Sequence, residues 1–149
     1  MRRHLDEWIM LWHEFESFYC RFLREYNLSL NGFHILTLLR KSPDGLEPGV
    51  IAEKLGIMRQ ALVPLLNSLE KRNLLLRTGH ASDGRRKVVI LTPEGVAYTD
   101  MIEDAMSAVE LSAFAELPEE ELAVMFASLS RFRTLLEKRR SVTRPPDSK

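Results

Sequence analysis

Three observations predict a mainly α fold with one small β-hairpin. Apolar residues recur at helical spacing along most of the chain, beginning with positions 5, 8, 9, 12, 15, 19, 22, 23 and 26. Two short β-prone runs, Leu74-Leu75-Leu76 and Val88-Val89-Ile90-Leu91, flank a turn-rich segment holding Gly79, Ser82, Asp83 and Gly84. With 149 residues, 45% of them hydrophobic, the chain can bury an ordinary core without disulfides or metal, so one domain spanning 1–149 is expected.

The first helix is expected over 5–26. Met10, Leu11 and Phe18 add a second apolar strip to it, more than one core-facing stripe requires, and a partner subunit is the economical cover. A second helix, 28–40, has Ser29 and Asn31 near its start as caps. The turn "KSPDGLEPG" ends it. A short helix over 48–55 stops at Gly56, and a longer one over 59–72 ends at Asn73, a residue that tolerates the left-handed C-terminal position. Two helices separated by a few residues around a glycine have helix-turn-helix spacing.

The hairpin follows directly and therefore reads as a wing. Thr92 then suits an N-cap, Pro93 the first helical position, and Glu94 the first turn, where the helix dipole favours an anion. That helix is expected to run to about residue 114. A last helix carries Leu122, Met125, Phe126, Leu129, Phe132 and Leu136, and the polar, Pro-containing segment 141–149 is expected to be a mobile tail.

Charge is balanced overall, with 21 cations and 21 anions, but unevenly placed. Residues 54–90 hold eight cations against two anions and so carry +6, while 1–53 carry −2 and 91–149 carry −4. Three successive cations, Arg85, Arg86 and Lys87, fall on the hairpin tip. A duplex presents closely spaced phosphates that Lys and Arg neutralise with release of counterions, and an arginine on a wing can also enter a narrow minor groove. Asp83 reads as a brace for such an arginine or a cap of the turn.

The segment "DGRRKVVILTPEG" resembles the wing and following helix start of the MarR family of winged helix-turn-helix regulators, through Asp83, Arg85, Val89, Leu91, Thr92 and Gly95. "LEKRNLLLR" and "IAEKLGI" resemble the family's recognition-helix end and first helix-turn-helix element. The resemblance implies a winged helix-turn-helix part at 28–92 and a helical dimerisation part from 1–27 and 93–140. It also implies a homodimer that binds double-stranded DNA, in the manner of a repressor on a pseudo-palindromic operator. A small aromatic or phenolic effector is implied as well, between the dimer and DNA-binding regions. For a pocket between the first, second and fifth helices, Trp12, Tyr19 and His34 are the candidates, since such a ligand needs apolar walls and a few polar anchors.

On the recognition helix, "MRQALVPLLNSLEKR", the groove-facing set is Arg59, Gln60, Val63, Asn67 and Ser68. Arg59 suits guanine, and Gln60 or Asn67 suits adenine through paired hydrogen bonds. Ordinary helix surface is the other reading of these residues. Met58 supplies no side-chain cap, and Pro64 removes a backbone donor at about 3 kcal/mol in an ordinary interior, so a kink or a late helix start is expected. That apolar helix motivates an alternative, a winged-helix protein-interaction module without sequence-specific DNA reading.

Other classes find little support. There is no nucleophile and base set, no pair of catalytic carboxylates and no Gly-rich phosphate loop, so an enzyme is not expected. The four histidines lack ligand spacing and Cys20 is the only cysteine, so neither a metal site nor a cofactor nor an internal disulfide is expected. Cys20 lies among Phe18, Tyr19, Phe22 and Leu23, where a small buried hydrophobe is its expected role, with a redox thiol beside Arg21 and Arg24 as the other. No apolar run approaches the ~20 residues of a membrane span and the N-terminus lacks a signal-peptide pattern, so a cytoplasmic protein is expected.

Overall fold

The computed structural model describes residues 1–79 and 87–140. Its elements are α1 (Arg2–Arg24), α2 (Leu30–Arg40), α3 (Pro48–Leu55), α4 (Arg59–Lys71), β1 (Leu75–Gly79), β2 (Lys87–Leu91), α5 (Pro93–Ala115) and α6 (Glu119–Arg140). The fold is mainly α with one antiparallel hairpin, in the order the sequence predicts. The hairpin tip, with Asp83, Arg85 and Arg86, and the expected tail at 141–149 lie outside the described residues.

Local chemistry sets most of the boundaries. The hydroxyl of Ser29 accepts from the Gly32 amide at 3.0 Å and starts α2. Gly56 closes α3 in the left-handed conformation at φ 63°, and the Ile57 amide returns to the Ala52 carbonyl at 3.0 Å. Asn73, at φ 56°, turns the chain from α4 into β1. The helix α4 begins directly after Met58, which supplies no side-chain cap. Pro64 therefore sits inside a continuous helix, and the late start considered from the sequence does not occur. Pro64 and Gln60 are both exposed, so water can reach the Gln60 carbonyl that lacks its usual amide partner.

Two compact units make up the chain, Met1–Met106 and a second from Ser107 onward, divided within α5. The core of the first unit joins Ile35, Leu36 and Leu39 of α2 with Ile51 of α3, Leu62, Leu66 and Leu69 of α4, Leu75 and Val89 of the hairpin, and Ile102 of α5. In the hairpin Leu75 pairs with Leu91, Arg77 with Val89 and Gly79 with Lys87. Leu46 extends the sheet by a reciprocal bridge, its amide donating to the Val89 carbonyl at 3.0 Å and its carbonyl accepting from the Val89 amide at 2.8 Å. The wing is thereby tied to the turn between α2 and α3.

A second set of polar contacts fixes the end of α4. The Arg72 guanidinium donates to the Asn27 carbonyl and to the Tyr98 hydroxyl, each at 2.8 Å, and Tyr98 in turn donates to the Tyr26 carbonyl. One cation thus joins α4 to the α1–α2 turn and to α5.

The ends of the chain are packed differently. Within α1 only Leu23 is fully buried, while Leu5, Ile9, Met10, Leu11, Trp12 and Phe15 are exposed. The second unit has Phe114 edge-on to Phe126 at 5.7 Å between centroids, yet α6 buries no residue and exposes Val124, Leu129, Leu135 and Leu136.

Candidate nucleic-acid interface

The helices α3 and α4 are joined by Gly56, Ile57 and Met58 and share the buried residues Ile51, Ala52, Leu62 and Leu66. Burial of Leu62, Leu66 and Leu69 on one face of α4 turns Gln60, Val63, Asn67 and Ser68 to the opposite, exposed face. The sequence-predicted reading set is therefore brought together on one surface. Arg59 belongs to the same exposed helix, but its guanidinium lies across the first turn of α3. A methyl group added at Gly49 would stand 2.5 Å from the Arg59 Nη2 atom.

The polar face of α4 is connected to the wing through a residue absent from the predicted set. Arg77 of β1 donates from Nη2 to the Asn67 Oδ1 atom at 2.7 Å and from Nη1 to a Glu70 carboxylate oxygen at 2.6 Å. The signal available in the sequence was an opposite-charge pair seven residues apart across the Asn73 turn. Of the wing cations, Lys87 is described, exposed at the start of β2 and paired with Gly79.

At the base of the wing, the Thr92 hydroxyl donates to the Asn73 carbonyl at 2.6 Å and accepts from the Gly95 amide at 2.9 Å. The Thr92 amide donates to the Leu74 carbonyl at 3.1 Å, and Asn73 Nδ2 to Glu94 at 2.8 Å. The Leu-Thr-x-x-Gly stretch is thus a clasp holding the start of α5 against the turn that ends α4.

Trp12, Tyr19 and His34 line one cavity of about 230 Å³ with Phe15, Glu16 and Leu30. Its walls come from α1 and α2, and α5 contributes none of its lining among the described residues, unlike the three-helix site expected from sequence. Cys20 is half-buried beside a separate cleft that includes Arg24, while Arg21 donates to the Ser17 hydroxyl at 2.8 Å. Among the described residues no group of His, Cys, Asp and Glu is placed to hold a metal, and no helix is long and apolar enough to cross a membrane.

Comparison with known proteins converges on one group. Residues 28–87 match the model of the MarR family. The HTH-type transcriptional regulator SarZ of Staphylococcus epidermidis is 29% identical over 118 residues, covering 78% of this chain and 76% of SarZ. The crystal structure of MepR, a transcription regulator of the Staphylococcus aureus multidrug efflux pump MepA, aligns over 87% of this chain and 95% of its own, with a TM-score of 0.72 and 27% identity. A MepR–DNA complex from the same organism aligns over 85% and 93%, again with a TM-score of 0.72 and 27% identity.

Proposed function

The chain belongs to the MarR family of transcriptional regulators, and we propose that it acts as a homodimeric repressor on a pseudo-palindromic DNA operator, released by a small aromatic effector. The observation that carries this reading is the unit of α3, three-residue turn, α4 and hairpin, whose residues 48–91 hold eight cations against three anions in a chain of no net charge. Its fold is shared with the DNA-bound MepR structure.

In this account α4 enters the major groove with Gln60, Asn67 and Ser68 toward the bases. Arg59 leaves its position over Gly49 to join them. Arg85, Arg86 and Lys87 neutralise phosphates or enter the adjacent minor groove, with Asp83 as the brace of the wing. The exposed apolar faces of α1 and α6 support dimerisation, since each presents more large apolar side chains than a solvent-facing helix needs. The cavity at Trp12, Tyr19 and His34 supports the effector, because an apolar cavity of about 150 Å³ already accepts a benzene ring. A ligand held by α1 and α2 would act by changing the spacing of the two reading helices, which must match successive major grooves.

Fluorescence anisotropy of a labelled duplex across a salt series, with the mass of the complex, tests the reading. Two chains per duplex and a steep fall of affinity with salt are expected. A stable dimer with no salt-dependent DNA binding would instead support the protein-interaction module that Pro64 and the apolar α4 motivate.

A further inference from the structure

Arg77 and Asn67 stand in a relation that constrains which base the protein can read. A guanidinium has five N–H donors and no acceptor, so only the carbonyl end of the Asn67 carboxamide can face it. The 2.7 Å contact from Arg77 Nη2 to Oδ1 therefore fixes the orientation of the amide and leaves its NH2 end on the side away from Arg77. Glu70 holds the other Nη atom at 2.6 Å, so one planar cation spans a turn of α4 and anchors it to β1. Both Arg77 and Glu70 have about a third of their side-chain surface exposed, at 34% and 37%. Asn67 itself is exposed on the same face as Gln60 and Val63.

From this geometry we infer that Arg77 is a specificity-determining positioning residue, which holds the Asn67 amide by its oxygen and biases it from paired adenine reading toward recognition through its NH2 donor. The inference rests on the DNA-reading function proposed above. An unconstrained asparagine recognises adenine with both ends of its amide, the oxygen accepting from N6 and the nitrogen donating to N7. Arg77 takes one of the two lone pairs of Oδ1 and holds that end of the amide in place, so the oxygen is no longer free to turn onto adenine N6 and the NH2 donor is the end left to meet a base. That donor suits best a base edge made of acceptors, namely O6 and N7 of guanine or O4 of thymine; adenine offers it N7 alone, beside an amino group left without its acceptor, and cytosine offers only an amino group. Glu70 takes part by keeping Arg77 on the helix surface and neutralising its charge, so that Arg77 does not serve as a phosphate contact.

The substitutions Arg77→Ala and Asn67→Asp make opposite predictions at the same operator position. Removing the guanidinium frees Oδ1 and should shift the preferred base in each half-site from guanine or thymine toward adenine. Aspartate keeps one oxygen on Arg77 and presents the other as an acceptor, which should shift the preference toward cytosine, whose N4 is a donor. Each shift is expected to be on the order of tenfold in relative affinity at that position, with the other positions retained.

Selection of bound duplexes from a random pool, run with the wild type and both variants, reads these preferences directly. Circular dichroism melting establishes that each variant is folded. Adenine preferred at the Asn67 position by the wild type, or a wild-type operator selected unchanged by both folded variants, would overturn the assignment of Arg77 while leaving the regulator reading intact. No enriched sequence from the wild type would overturn both.

Discussion

Gly95, in the first turn of α5, lies so close to the Leu74 carbonyl that an added Cβ would stand 1.8 Å from the oxygen. This is a contact with backbone, which cannot rotate away as a side chain would. The start of α5 can dock on the turn after α4 only because no side chain is present there.

Gly95→Ala is accordingly expected to destabilise the protein. Helix propensity alone would favour alanine by about 1 kcal/mol, but forced overlap in a packed site costs about 1–3 kcal/mol or more. The sign of the change in a denaturant melt decides between them, and a stabilised alanine variant would show that the helix start can move away from Leu74.

Thr92 supports the same junction with two hydrogen bonds from one buried hydroxyl. Thr92→Ala should cost about 1–2 kcal/mol through loss of the cap and of the bond to Asn73, whereas Thr92→Ser should retain most of it. Equal melting curves for the two variants would contradict this role.

These junction residues also show what the sequence made legible. The caps that Ser29 and Thr92 give to amides three positions on, and the left-handed turns at Gly56 and Asn73, are local, so residue type alone disclosed them. The bonds from Thr92 to Asn73 and from Asn73 to Glu94 span 19 and 21 positions and were not legible. The bridge between Leu46 and Val89 and the pair of Arg40 with Asp100 join residues 43 and 60 positions apart; no local pattern records such separations. The α4 surface lay between these cases. Its exposed face followed from the spacing of Leu62, Leu66 and Leu69, but the engagement of Asn67 by Arg77 depends on how β1 leaves the Asn73 turn.

The Arg40–Asp100 pair links α2 to α5 through hydrogen bonds of 2.6 and 3.1 Å. Chiefly by the hydrogen bond from Arg40, the Asp100 carboxyl is held below its ordinary value, and the Arg40 pKa is correspondingly raised. Because the folded-state pKa of Asp100 is depressed, its contribution is fully present above the ordinary aspartate value of about 3.9 and is lost as pH falls through the lowered one. The stability difference between the wild type and Asp100→Asn should thus be present at neutral pH and close in acid. It should shrink with added salt, since both side chains are partly exposed. A difference independent of pH would assign the effect to packing.

Leu5 of α1 and Leu136 of α6 are about half exposed, at 54% and 51%. If α1 and α6 form the proposed dimer contact, replacing either with glutamate should leave helix content unchanged while shifting the sedimentation velocity profile toward monomer. An unaltered dimer in both variants would place the dimer contact elsewhere.

Lys87 is the described cation nearest the wing tip. Lys87→Ala should weaken binding to all duplexes alike and reduce the slope of log affinity against log salt by about 1. A loss confined to particular sequences would make Lys87 a base-reading residue.

The central claim, that this chain reads DNA sequence through α4 and the wing, is tested most directly by incubating the protein with random duplexes at two salt concentrations and sequencing what stays bound at the higher one. The account predicts an enriched pseudo-palindrome with half-sites about 10–10.5 base pairs apart, or a multiple of that spacing. Binding that disappears with salt and enriches no sequence would contradict it.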